Sequence, residues 1–467
     1  MADWKKHYED HLVTLNEAAR AIKPGDRIWM GQATQIPYAF LDEMHAHMTE
    51  PGYDYHDIFV IYNCANLPFN MMFDPETKKH FRFFSFFNLP LERMSIEMGI
   101  EESSGCNYDQ MVMGPFVYGC NTLALQVCPP DEEGYCNVGA YGVSTNDIIC
   151  NNPLITKKIA LIDKTGQFPA KGERKDTAIH ISEFDFICEN DTEFNAIPAM
   201  PPTEYDKKIA SYILPFIHPG DKVQIGFGGL GEEILANLKS IGHLEVYSEV
   251  ACDNMATLCG EGVLSKIVAS SPGACSERFF KFVVTDDRAQ FMPLYNCVDP
   301  LGVIPQENLV AINATFMIDL IGQACSEAQG LKPYSGTGGS FAYLYGATRA
   351  KNGRSFLCLR STYVDHEGIA HSNIVPWLPE GSIVTTPKNF VMYVVTEYGL
   401  ADIFLKTLKD RIKLLIEIAH PDFRAELKEK ICTTPLIDEE DFENLSGYNP
   451  ENDQKVLNDP EFRRIFN

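Results

Sequence analysis

Apolar residues fall along this chain in two rhythms: a helical period of three to four residues, and short unbroken apolar runs of the kind that form buried strands. Residues 15–44 show both in order. An apolar-periodic stretch leads into Pro24-Gly25-Asp26-Arg27, then come a short apolar strand, Gly31, a loop and a second amphipathic helix. Residues 209–239 repeat that order around Pro219-Gly220-Asp221-Lys222. Each unit is followed by another predicted strand, over residues 57–62 in the first and 244–247 in the second. One Pro-Gly-Asp turn is common, but agreement of the whole helix–turn–strand–loop–helix–strand order marks an internal duplication. Short apolar strands joined by crossover helices belong to parallel sheets. The pattern therefore predicts an α/β protein of two related open domains with largely parallel sheets.

The boundary is expected at residues 195–205, where three prolines separate a strand-like segment, 178–187, from the second repeat. Proline resists helix and central strand alike, and such stretches commonly connect domains. The division is thus 1–200 and 201–467. The acidic, polar tail from about residue 433 is read as a peripheral extension of the second domain.

Composition narrows the functional classes. The 467 residues carry 39 Lys and Arg against 64 Asp and Glu, a formal charge of −25. An excess of that sign repels nucleic acid and anionic membranes, so neither is expected as a partner. A phosphate-bearing ligand would have to be held by backbone amides and a few placed cations. No apolar run approaches the ~18 residues of a membrane helix, and the charged start lacks an apolar signal core. A cytoplasmic protein is expected. The fourteen cysteines are scattered without a Cys-x-x-Cys pair, and the twelve histidines form no metal-binding cluster. They read as reduced, mostly buried thiols, with no metal site.

In open α/β sheets ligands bind at the carboxyl ends of strands. After the strand at 223–225 comes Gly226-Phe227-Gly228-Gly229-Leu230-Gly231, leading into a helix predicted over 232–238. Glycines let a backbone approach a ligand closely, and a helix start offers unpaired N–H donors. Taken alone this is a weak signal, because many strand-to-helix turns contain glycine. The next strand ends in Tyr247-Ser248-Glu249, whereas the matching place in the first half, Tyr62-Asn63-Cys64, has no acid. A lone strand-end glutamate is ordinarily a solvated or capping charge. A third segment, Tyr334-Ser335-Gly336-Thr337-Gly338-Gly339-Ser340, again sets glycines before an apolar helix, as either a flexible connector or a set of backbone donors.

Together these segments resemble the family I coenzyme A transferases, in the single-chain acetyl-CoA hydrolase/transferase branch that includes 4-hydroxybutyrate and butyryl-CoA:acetate CoA-transferases. The resemblance is collinear over nearly the whole chain. It runs through residues 123–139, 224–229, 247–255, 310–323, 335–339, 384–386, 394–402 and 418–424. It implies that Glu249 is a covalent nucleophile toward acyl-CoA, in ping-pong transfer of CoA to a short carboxylic acid such as acetate, butyrate or 4-hydroxybutyrate. It further implies coenzyme A as a co-substrate with no permanently bound cofactor, and a homodimer or higher homo-oligomer. Gly228 and Gly338 become oxyanion donors and Asn313 a side-chain donor to the carboxylate, with a turn-capping asparagine as the plain alternative. Residues 226–230, with Gly336, Gly338, Gly339 and Lys388, are assigned to CoA. Lys332, Arg349 and Arg354 are further cations for its phosphates, against the plain reading of solvated surface charge.

Several positions depart from the family pattern. Ser340, Ala342 and Tyr345 replace a Gln, an Asp and an Arg; Tyr247 replaces a frequent His, and Pro387-Lys388 replaces Ser-Arg. These changes imply retained chemistry with an altered acyl pocket, wider or more apolar, so that bulkier branched or aromatic acids are an alternative. Hydrolysis through the same glutamate is another. A thiol mechanism at Cys252 or Cys259 lacks a readable histidine partner. A non-catalytic CoA-binding module would not need the acid at 249.

Overall fold

The computed structural model describes residues 4–443 apart from 166, 167, 196, 198 and 227. Its frame is two large sheets. The first contains β1 (Arg27–Gln32), β2 (Ile58–Asn63), β3 (Phe81–Ser85), β4 (Glu101–Ser103), β5 (Thr122–Val127), β6 (Lys157–Asp163) and β7 (Phe186–Asn190). Its spatial order is β4-β3-β2-β1-β5-β6-β7, and every pair is parallel. The second contains β8 (Lys222–Ile225), β9 (Leu244–Ala251), β10 (Leu264–Pro272), β11 (Ala289–Phe291), β12 (Leu309–Ala314), β13 (Arg354–Cys358), β14 (Tyr393–Thr396) and β15 (Gly399–Asp402). Its order is β11-β10-β9-β8-β12-β13-β14-β15, parallel except for the closing β14–β15 hairpin. The two orders are the same path walked twice, as the repeated pattern predicted.

The chemistry of the repeated turn explains why it recurs. Asp26 Oδ2 accepts the Lys23 amide at 2.8 Å, and Asp221 Oδ2 accepts the His218 amide at 2.6 Å. Each aspartate then pairs with a cation that opens a later strand, Lys157 on β6 at 2.6 Å and Arg354 on β13 at 2.7 Å. A buried carboxylate is tolerable when it is both paired and hydrogen-bonded. Each turn therefore locks the start of its sheet across three strands.

Every residue of β2 and β5 is buried, as strands covered on both faces require. One core region joins the halves, with Trp29, Phe59 and Leu123 in the same cluster as Tyr247, Leu294 and Tyr343. Local departures from the sequence expectation are small. β9 continues to Ala251, so Glu249 lies inside the strand and not beyond its end. The segment 178–187 divides into a short strand, Ala178–His180, a 3-10 turn and the beginning of β7. The helix after β8 starts earlier than predicted, at Gly229, and ends at Asn237. Of the tail, Ile437 is buried against the C-terminal core and a short helix spans Glu439–Glu443, while residues 444–467 lie outside the described residues. No described helix is long and apolar enough to cross a membrane.

Candidate active site

Strand register places Glu249. Val223 on β8 is opposite Val246 on β9, three residues before Glu249. Ser248 ties the same two strands: its hydroxyl donates to the Ile225 carbonyl at 3.2 Å. In the first half Arg27 is opposite Phe59, and in the second Lys222 is opposite Glu245. Four residues on from Phe59 and Glu245, Asn63 occupies the place of Glu249, one residue before the Cys64 that the sequence pattern aligned with it. The duplication thus carries an amide on one side and an acid on the other.

The loop at 335–339 reaches Glu249 directly. The Gly339 N–H donates to Glu249 Oε2 at 2.8 Å, just before helix Ser340–Ala347. A side chain here would force its neighbours to move, because a Cβ at 339 would overlap that carboxylate oxygen and lie 2.6 Å from Val298 Cγ1. Gly338 has φ +60° and sits between the Phe87 ring and Glu249; a Cβ there would be 3.1 Å from Phe87 Cε2 and 3.7 Å from Glu249 Oε1. The loop is clamped by the N-terminal half. Ser335 Oγ accepts the Asn88 amide at 3.3 Å, and Tyr108 donates its amide to the Gly338 carbonyl at 3.0 Å. Gly336 lies so close to the Phe86 carbonyl that any side chain would collide with it. The site is therefore built by both halves.

Its electrostatics follow from enclosure. Burial raises the Glu249 carboxyl from the usual glutamate range to about 7, and the Gly339 N–H opposes that rise by favouring the ionised form. The thiol of Cys64, at the end of β2, and the hydroxyl of Tyr108 lie near enough to feel the Glu249 charge. Cys64 has φ +56°, uncommon for a residue with a side chain. Burial pushes its thiol well above the ordinary value. Cys252 and Cys259 are likewise pushed up, to about 12 and about 11, so neither is an activated thiolate.

The remaining predicted residues are distributed as follows. Gly228 caps the helix Gly229–Asn237 with φ +129° and open space where a Cβ would be. Gly229 packs against Pro201 and Pro202, Leu230 packs on the C-terminal core, and the Gly226 amide is taken by the Ile312 carbonyl at 3.1 Å. Phe227 lies outside the described residues. Asn313 is buried in a side-chain amide pair with Gln224, its Nδ2 donating to Gln224 Oε1 at 2.8 Å. Lys388 is half-buried, with Nζ 3.1 Å from Asn389 Oδ1. Among the other cations, Arg354 is committed to Asp221, and Lys332 pairs with Glu97 at 2.6 Å. Glu397, at the β14–β15 turn, accepts the Ser361 amide at 2.9 Å and is structural.

Sequence reasoning did not find the contribution of residues 63–65, 85–88 and 104–108 in the N-terminal half. They form no motif, and only contacts between segments of the two halves bring them to the loop at Glu249. Two of the departing positions lie close together: Tyr345, with Phe341, packs on Phe390, two residues beyond Lys388, with ring centroids 5.1 and 5.5 Å from Phe390.

Two related parallel-sheet halves meeting over a carboxylate and a glycine loop define the CoA-transferase class of α/β enzymes. RipA from Yersinia pestis superposes with a TM-score of 0.82 at 26% identity, over 93% of this chain and all of that one. The 4-hydroxybutyrate coenzyme A transferase of Clostridium kluyveri is 28% identical over 91% of this chain and 98% of its own length. The succinyl-CoA:cyclohexane-1-carboxylate CoA transferase of Geobacter metallireducens is 29% identical over 91% and 96%. The butyryl-CoA:acetate CoA-transferase of Anaerostipes caccae is 28% identical over 91% and 96%. Residues 275–431 match the acetyl-CoA hydrolase/transferase C-terminal domain. Over nearly its whole length the chain is thus a distant homologue of 4-hydroxybutyrate and butyryl-CoA:acetate CoA-transferases, and it shares the C-terminal domain of the acetyl-CoA hydrolase/transferase family.

Proposed function

We propose that this chain is an acyl-CoA:carboxylate CoA-transferase working by a ping-pong mechanism through Glu249, with short acids such as acetate, butyrate or 4-hydroxybutyrate as substrates. The supporting observation is the Glu249 carboxylate, enclosed between the halves and held by the Gly339 N–H at 2.8 Å. A Glu249 oxygen attacks the thioester carbonyl carbon, the C–S bond breaks, and an acyl-glutamyl anhydride and CoA thiolate result. The thiolate then attacks the glutamyl carbonyl, breaking its bond to the acyl oxygen. The first acid leaves as a carboxylate and a glutamyl-CoA thioester remains. An incoming carboxylate reverses both steps, so no net proton or electron is consumed.

In this scheme the N–H groups of Gly228, Gly338 and Gly339 serve the developing oxyanions, where one such donor elsewhere contributes about 3 kcal/mol. Residues 226–230, Gly336 and Lys388 border coenzyme A. Asn313, already paired with Gln224, offers its second amide hydrogen toward the carboxylate. The halves 1–200 and 201–467 act as two domains closing on the site, in a cytoplasmic homo-oligomer. A second reading, a bulkier acid, draws support from the Phe341–Tyr345–Phe390 cluster and from the Geobacter relative, whose name specifies cyclohexane-1-carboxylate.

The test is a mass-resolved exchange assay with butyryl-CoA, with and without acetate. Acetate-dependent acetyl-CoA and a CoA adduct on Glu249 are expected, and both should be absent in Glu249→Ala. Free CoA accumulating without acetate would indicate hydrolysis instead. Activity confined to cyclohexanecarbonyl-CoA would favour the bulkier acid.

A further inference from the structure

One buried acid outside the reacting centre holds two turns that face it. Glu92 is the third residue of helix Pro90–Glu97 and is completely buried. A glutamate there commonly folds back on the cap amide, and Glu92 Oε2 does accept the Leu89 N–H at 3.0 Å. Cap glutamates ordinarily remain in solvent, where their charge costs nothing to hold. Here the second oxygen goes elsewhere: Oε1 accepts the Ala65 N–H at 2.5 Å. The group lies near a second buried carboxyl, Glu101, which accepts the Tyr62 hydroxyl at 2.7 Å. A buried carboxylate spanning two loops fixes their separation more rigidly than either loop's own contacts would.

Those loops are the ones that face Glu249. The first carries Cys64, in its left-handed backbone conformation, and the second carries Phe87, whose ring closes on Gly338. Other ties accompany Glu92. Asn63 Oδ1 accepts the Phe86 amide at 2.8 Å, and the Tyr38 hydroxyl accepts the Asn66 amide at 3.0 Å. Removing the Glu92 bridge therefore leaves the two turns joined at Asn63 and Phe86 while freeing the spacing of Ala65 from Leu89.

We propose that Glu92 is a positioning residue: together with the Asn63–Phe86 bond it sets the distance between the turns bearing Cys64 and Phe87, and so the width of the wall against which the acyl group packs opposite Glu249. This rests on Glu249 being the nucleophile. Glutamine is the informative replacement, because its single oxygen can keep only one of the two amides while its NH2 group faces the other. In Glu92→Gln, single-turnover formation of the Glu249 adduct from butyryl-CoA should slow about tenfold while KM stays within about twofold, as misplacement without lost binding requires. The ratio of rates for butyryl-CoA and cyclohexanecarbonyl-CoA should shift by about fivefold or more, since it is the wall that changes. Iodoacetamide should label Cys64 several-fold faster, with half-buried Cys106 unchanged as the internal control.

A folded Glu92→Gln protein with the wild-type acyl ratio and unchanged Cys64 labelling would overturn the proposal. So would equal loss toward both substrates with every cysteine more reactive, which is general loosening. If the wild type forms no adduct, the transferase reading fails, and Cys64 labelling alone then decides whether Glu92 holds the turn. Should the variant not fold, amide exchange in the wild type decides: the Ala65 and Leu89 amides should both exchange about a hundredfold or more slower than free peptide. Unprotected exchange at either one would refute the bridge.

Discussion

The Gly339 N–H and the Glu249 carboxylate are hydrogen-bonded at 2.8 Å across 90 residues of sequence, joining the start of helix Ser340–Ala347 to strand β9. This contact favours the ionised form of a carboxyl that burial, the larger influence, still leaves raised to about 7. It also explains the glycine, since a side chain would occupy the position of the carboxylate oxygen.

Gly339→Ala should therefore be far more damaging than a methyl group on a loop normally is. The added carbon has Glu249 on one side and Val298 on the other, so the carboxylate must move. A displacement near 1 Å costs about a hundredfold in kcat. Steady-state kinetics, with circular dichroism to confirm folding, would check this; activity within a few-fold of wild type would refute it.

The acid limb of the pH–rate profile should report Glu249. Only the ionised form attacks, so kcat/KM for acyl-CoA should rise about tenfold per pH unit below the carboxyl's value and level off above it. With that value near 7, the limb should bend close to neutrality. A bend near 4.5, the ordinary glutamate value, would mean that the free enzyme holds Glu249 in a wetter setting.

The same raised value makes Glu249 a pH-dependent burden on folding. Because the folded protein binds this proton more tightly than the unfolded chain does, the stabilising protonated state is lost as pH rises from about 4.5 toward 7. Glu249→Gln removes that loss. Its stability relative to wild type should grow by up to about 3 kcal/mol between pH 4.5 and pH 8. Denaturant titrations of both proteins at the two pH values would measure it, and a difference independent of pH would contradict it.

Arg354 separates structure from ligand binding. Its guanidinium is bonded to Asp221 and to the Phe216 carbonyl, so Arg354→Ala strands a buried carboxylate. Loss of about 3–5 kcal/mol of stability is expected, with KM for acyl-CoA unchanged within about twofold at a temperature where the variant is folded. A large KM increase in a fully stable protein would instead make Arg354 a CoA cation.

The duplication was legible because its signals are local. Pro-Gly-Asp turns, apolar runs and helix periodicity are properties of neighbouring residues, and they led directly to two sheets with the same strand order. Glu249 was legible only by comparison: beside Tyr62-Asn63-Cys64 it is the acid that breaks the repeat, and the family resemblance gave that asymmetry a chemical meaning. The cations were the weakest reading. Nothing near Arg354 in the sequence points to Asp221, which is 133 residues away.

The sequence by itself determined the fold class, the doubling and the acid that sets one half apart from the other, because each depends on spacing along the chain or on residue type. The tertiary structure decided which loops meet. It set the Gly339 amide on Glu249, laid Phe87 against Gly338 and joined two turns through buried Glu92. Of these, the Phe87–Gly338 contact crosses between the halves, while the other two join separate segments within one half. Such packing depends on shape, burial and desolvation across distant segments, none of which is written in any one stretch of sequence.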